Sequence, residues 1–138
     1  MKPRVSMICL GVADLEASKK FYHEGLGFPK LDSVPGTAYF DLDGTWLHLR
    51  SREDLAADAG VSAEGSGYNA LTLYHTVKSV EEVSEVLKKA VDAGAKEIKA
   101  PQQASWGGYH AFFQDPDGNV WEIAFSPFAW VGPVDKEE

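Results

Sequence analysis

A chain of 138 residues is the right length for one domain, and 44% hydrophobic with 12% aromatic residues is enough to build a core, which sets it apart from disordered sequences. Thirteen Lys and Arg stand against 21 Asp and Glu, a net charge of −8, so there is no basic surface for nucleic acid or an anionic membrane. That balance favours solubility or a cationic ligand.

VSMICLGV (5–12) is an apolar, β-competent run and reads as the first strand. Its break at Gly11 and Asp14, with no small-residue cleavage site beyond, argues against a signal peptide. Asp14 then offers an N-cap for LEASKKFYHE, a helix that Gly25 ends. After a short extended LGF come TAYFDL (37–42) and TWLHLR (45–50), two strands around an Asp43-Gly44 turn. SREDLAADAGVSAEGSG (51–67) is polar and Gly-rich and reads as a mobile connection with a short helical turn.

The order then recurs. NALTLYHTV (69–77) is a strand, and Ser79 with Glu82 forms a capping box. The following helix puts Val80, Val83, Leu87, Ala90 and Val91 on one face and stops at Gly94. KEIKA (96–100), YHAFFQD (109–115) and NVWEIAF (119–125) are three more strands, the last two joined through Asp117-Gly118. The residues repeat as well as the order. DLDGTWLHLR (41–50) and DPDGNVWEIA (115–124) align without a gap, matching Asp41 to Asp115, Asp43 to Asp117 and Gly44 to Gly118. The expected fold is therefore α+β, a single domain over 1–138 made of two tandem βαβββ modules. Module one covers about 5–50, the connection 51–67, module two about 68–126, and the tail 127–138. Curved, mostly antiparallel sheets around a cavity, with helices outside, are the expected arrangement of the two modules.

Cys9 is the one cysteine, so an internal disulfide and a Cys-based zinc site are both excluded. A reducing, cytoplasmic setting suits it. No segment approaches the ~18 apolar residues of a membrane helix.

The gapless alignment puts His48 where the second module has Glu122. Strand side chains alternate, so Trp46, His48 and Arg50 share one face while Leu47 and Leu49 take the other. Glu122 similarly lies opposite Trp121, Ile123 and Phe125. If the sheets curl toward each other, His48 and Glu122 face one cavity, where a carboxylate would raise the imidazole pKa and support acid/base work. The alternative is a structural pair, each group satisfied by a neighbour. A partner such as His48, Tyr109 or a bound ligand would stabilise Glu122. His75 and His110 read as structural, His23 as a helix-end contact, and Cys9 as a small apolar filler. Trp46, Trp106, Tyr109, Phe128 and Trp130 read either as core and tail packing or as pocket wall for a flat apolar ligand. Arg50 is a candidate anion partner.

With its paired modules, GVADLEASKKFYHEGLGF near the start and WGGYHAFFQDPDGNVWEIA near the end, the chain resembles the vicinal oxygen chelate superfamily of glyoxalases, thiol transferases, extradiol dioxygenases and bleomycin-resistance proteins. The resemblance spans roughly residues 5–126. It implies metal ligands on the first and last strands of each module, which fall here on Met7, His48, Thr72 and Glu122. His48 and Glu122 are competent ligands; Met7 and Thr72 are poor ones for a hard or borderline divalent ion. The resemblance also implies a homodimer. The expected function is binding of a small apolar or aromatic molecule, of the bleomycin-resistance type, with no cofactor and with Met7, Thr72, Trp46, Arg50, Trp106 and Tyr109 as ligand contacts. The alternative is a divalent-metal-dependent lyase or dioxygenase acting on vicinal oxygens, with His48 and Glu122 as ligands or catalytic groups.

Overall fold

Eight strands and three helices alternate along the computed structural model, which describes residues 1, 3, 5–65 and 68–133. Backbone contacts divide the chain into two units, Met1–Ser66 and Gly67–Glu138. The last five residues of the tail, 134–138, lie outside the described residues.

The first unit runs β1 (Met7–Val12), α1 (Leu15–Lys20), β2 (Lys30–Leu31), β3 (Thr37–Phe40) and β4 (Trp46–Ser51), followed by α2 (Arg52–Ala59). Asp14 caps α1 as expected, accepting from the Ala17 amide at 3.0 Å. The helix continues as one π turn over Phe21–Gly25, where the His23 Nδ1–H donates to the Phe28 carbonyl at 2.7 Å and ties the helix end to the next segment. The sheet order is β1-β4-β3-β2, with β1 parallel to β4 and the remaining pairs antiparallel. Leu10, Val12, Ala38, Phe40, Leu47 and Leu49 turn to one face and are buried with Phe21 and Tyr22 from the helical segment. Full burial of each larger side chain among these contributes about 1.5–3 kcal/mol.

The 51–67 connection contains a true helix rather than a single turn. The Ser51 hydroxyl accepts from the Asp54 amide at 3.1 Å, and Gly60, at φ 74°, ends the helix in the left-handed conformation. Its first residue sits against β1, where an added Cβ on Gly11 would lie 3.0 Å from the Arg52 Cα.

The second unit repeats the plan with β5 (Thr72–Thr76), α3 (Val80–Asp92), β6 (Lys96–Gln103), β7 (Tyr109–Gln114) and β8 (Val120–Phe125). Its sheet order, β5-β8-β7-β6, matches that of the first, again with one parallel pair. Ser79 caps α3 through the Glu82 amide, while the Glu82 carboxylate returns to the Lys78 amide rather than to that of Ser79. Of the five apolar residues read onto one face of α3, Val83, Leu87 and Ala90 are buried; Val80, in the first turn, and Val91, beside Ala90, remain exposed. The buried line packs on Ala111, Phe113, Trp121 and Ile123.

The aligned aspartates do equivalent work. Asp41 accepts from the Asp43 amide at 3.0 Å, and Asp115 accepts from the Asp117 and Asn119 amides at 2.9 and 2.8 Å. Each side chain organises its own turn and so fixes the register of the strand that follows.

Candidate functional site

Each sheet presents a second face, away from its helix-covered core, and both faces carry a buried histidine. On the first sheet, backbone register aligns Cys9 (β1), His48 (β4) and Tyr39 (β3) in one row. The Cys9 Sγ lies 3.3 Å from the His48 Nδ1. The Tyr39 ring stacks on the imidazole with centroids 4.2 Å apart and planes within 4°. Trp46, one row along and half-exposed, meets Tyr39 edge-on. Burial lowers the His48 pKa, and the Arg50 guanidinium lowers it further; burial raises that of Cys9. The row therefore holds a neutral imidazole beside a protonated thiol at neutral pH. Arg50 itself is engaged: its Nη1 pairs with the Asp58 Oδ2 of α2 at 2.8 Å.

On the second sheet the corresponding row is Tyr74 (β5), Glu122 (β8) and Phe112 (β7). Glu122 takes its partner from one step along β7, where the His110 Nδ1–H donates to the Glu122 Oε2 at 2.9 Å. Both side chains are largely enclosed, at 9% and 15% exposure. A carboxylate only accepts, so this bond places the proton of a neutral His110 on Nδ1. Phe112 and Trp106 meet the imidazole edge-on at 5.0 and 6.2 Å. Trp106 belongs to the loop before β7 and folds back over Gly108, where an added Cβ would lie 2.0 Å from the indole and 2.6 Å from the Phe125 carbonyl oxygen. Phe128, from the tail, covers Gly107, and the Thr76 hydroxyl holds the tail by donating to the Val131 carbonyl at 2.6 Å. Burial, and then the Glu122 charge, raise the Tyr74 pKa, so its hydroxyl stays a donor.

Several site expectations change against this geometry. Within its own unit Glu122 pairs with His110, and His48 sits among Cys9, Tyr39 and Arg50, with burial and then Arg50 lowering its pKa. Tyr109 is in register with Phe125 and shares the core-facing side of β7 with Ala111 and Phe113, not the side of Glu122. Met7 and Thr72 stand in the rows of Trp46 and Val120, one step from the rows of His48 and Glu122. The neighbours absent from the expectations are Tyr39 beside His48 and His110 beside Glu122. Both follow from counting back through the hairpin turns, since pairing 114 with 120 puts 112 opposite 122 and 110 beside it.

A catalytic zinc ion takes three protein ligands with a position left open. The donors at the positions implied for one are an imidazole, a carboxylate, a thioether and a hydroxyl. His48 Nδ1 already faces Cys9 and Glu122 Oε2 already faces His110, while His48 Nε2 has no hydrogen-bond partner. Among the described residues no three His, Cys, Asp or Glu side chains gather closely enough to hold an ion. Of these donors the imidazole and the carboxylate suit a hard or borderline divalent ion, and the thioether and the hydroxyl suit one poorly.

Paired βαβββ units with a last-strand carboxylate define a glyoxalase-type fold. The chain belongs to the Glyoxalase/Bleomycin resistance protein/Dioxygenase superfamily, whose family model matches residues 4–123. Among curated proteins it is 32% identical over 126 residues to the uncharacterized protein YraH of Bacillus subtilis (strain 168), covering 87% of this chain and 96% of that one. It is 27% identical to the metallothiol transferase FosB of Lysinibacillus sphaericus (strain C3-41), over 86% of this chain and 79% of the relative. Among solved structures, a glyoxalase-related enzyme from Fulvimarina pelagi superimposes with a TM-score of 0.86 at 33% identity, over 94% of this chain and 93% of that one. Among the described residues, no helix is long and apolar enough to cross a membrane.

Proposed function

We propose that this protein binds a small apolar or aromatic molecule against the sheet face that carries Glu122, without using a resident metal. The observation that carries the reading is the Glu122–His110 pair enclosed by Trp106, Phe112 and Tyr74. A few placed polar groups among aromatic walls is the composition of a small-molecule site. Thr72 and Met7, where stronger metal donors would be needed, support binding over metal chemistry. The test is a screen of flat apolar compounds read by tryptophan fluorescence. A saturable response that weakens in Trp106→Phe is expected; no response from any compound class would refute the reading.

Similarity to a metallothiol transferase supports a second reading, a metal-dependent lyase, transferase or dioxygenase in which Glu122 ligates an ion. Elemental analysis of protein purified without added metal, then titration with nickel, zinc, manganese and iron, separates the two. A submicromolar site abolished by Glu122→Ala would favour the second.

The protein is further proposed to act as a cytoplasmic homodimer. Exposed Phe128, Trp130 and Val131 support association, and sedimentation of Phe128→Ser with Trp130→Ser tests it. A wild-type monomer at micromolar concentration would remove the dimer.

A further inference from the structure

The two histidines share a peculiarity. Among the described residues, the buried side-chain nitrogens left without a partner are the Nε2 atoms of His48 and His110. For His110 the character of that atom is fixed. Its other nitrogen gives its proton to the Glu122 carboxylate, so in the neutral ring Nε2 is a bare lone pair that only accepts. For His48 the neighbour is a thiol, which donates or accepts, and no such assignment follows.

An enclosed acceptor is costly to leave unused. The rings flanking His110 are those of Trp106 and Phe112, and Gln102 stands beside it in register on β6. What matches a single acceptor among aromatic rings is a flat molecule with one donor. Trp106 is 42% exposed, and its indole lies on the backbone of Gly108 at the end of a Gly-Gly turn. Gly107, at φ 100°, gives that turn a conformation other residues rarely adopt.

We propose that His110 is the specificity-determining residue of this site: held by Glu122 as the Nδ1–H tautomer, it accepts at Nε2 a hydrogen bond from a flat apolar ligand bearing a neutral N–H or O–H group. Trp106 swings aside to admit the ring and then packs against it. The inference rests on the binding role proposed above and adds the chemical class of the ligand. A site built to pair with one donor discriminates against the same molecule lacking it.

The experiment uses matched probes, indole with 1-methylindole and phenol with anisole, titrated into the full chain by ligand-observed NMR at a pH near 8, where an ordinary imidazole is neutral. The donor member of each pair is expected to bind about tenfold tighter. His110→Phe abolishes the difference. Glu122→Gln, whose amide is able to hand a proton to Nδ1, shrinks or inverts it. A long-range proton–nitrogen spectrum of the wild type reads the tautomer directly and needs no ligand. Equal binding of both members overturns the inference and leaves the binding role standing. A spectrum with the proton on Nε2 overturns it whatever binds. Failure of every flat apolar compound to bind removes the binding role and this inference together.

Discussion

Removing either member of the Glu122–His110 pair isolates the other inside the protein, and a double-mutant cycle measures what the pair is worth. The bond is 2.9 Å long with side chains 9% and 15% exposed, so little solvent screens it. A hydrogen bond to a charged group under such enclosure contributes about 1.5–3 kcal/mol, against under 1 kcal/mol for exposed pairs. Glu122→Ala leaves Nδ1 enclosed without its acceptor. His110→Ala strips the carboxylate of its donor and removes the ring packed on Phe112, which makes it the more damaging of the two. In urea unfolding followed by circular dichroism, each single variant is expected to lose about 2 kcal/mol or more. The double variant is expected to lose less than the sum, by about 1.5–3 kcal/mol. Additivity within about 0.5 kcal/mol would mean that the bond is not formed in solution, and the reasoning about Glu122 would fail.

The histidine of the first sheet makes an acid-side statement. Because burial and Arg50 hold the folded-state pKa of His48 below its ordinary value, the unfolded chain takes up the proton first. Its contribution is complete above the ordinary histidine pKa of about 6.5 and is lost as pH falls through the window beneath it. His48→Gln is therefore expected to show a shallower loss of urea stability between about pH 7 and pH 5 than the wild type; parallel curves would contradict the assigned environment. Gly108→Ala forces the new methyl against the Trp106 indole and the Phe125 carbonyl oxygen, and overpacking of this kind costs about 1–3 kcal/mol. The expected signature is a changed tryptophan emission together with lower thermal stability, and an unchanged spectrum would place the indole elsewhere.

The fold was legible because the turns announce themselves. Asp41 and Asp115 head gapless matching segments, and each side chain closes its own turn, so aligning them aligned whole modules. The Asp14 and Ser79 caps located two helices for the same local reason. α2 was read short because 51–67 has a polar, Gly-rich composition, yet Ser51 with Asp54 in its first turn is a cap, and Gly60 is a stop. Which face a strand residue occupies was also legible, and Trp46, His48, Arg50 and Glu122 fall as alternation requires. What alternation on one strand does not supply is the neighbour across the sheet. Tyr39 on His48 and His110 on Glu122 are products of hairpin register, and Tyr109 was misplaced because its strand was not counted against β8. Arg50 reads from sequence as a candidate anion partner, and Asp58 comes within its reach only once α2 folds back beside β4, a tertiary event that no local pattern encodes.

The most direct measurement is residue-resolved NMR of a uniformly labelled chain titrated with the strongest compound from the fluorescence screen. Saturable shifts centred on Tyr74, Trp106, His110 and Glu122 are the expected result. Shifts confined to other surfaces, with those four unmoved at saturation, would contradict the assignment of this sheet face as the binding site.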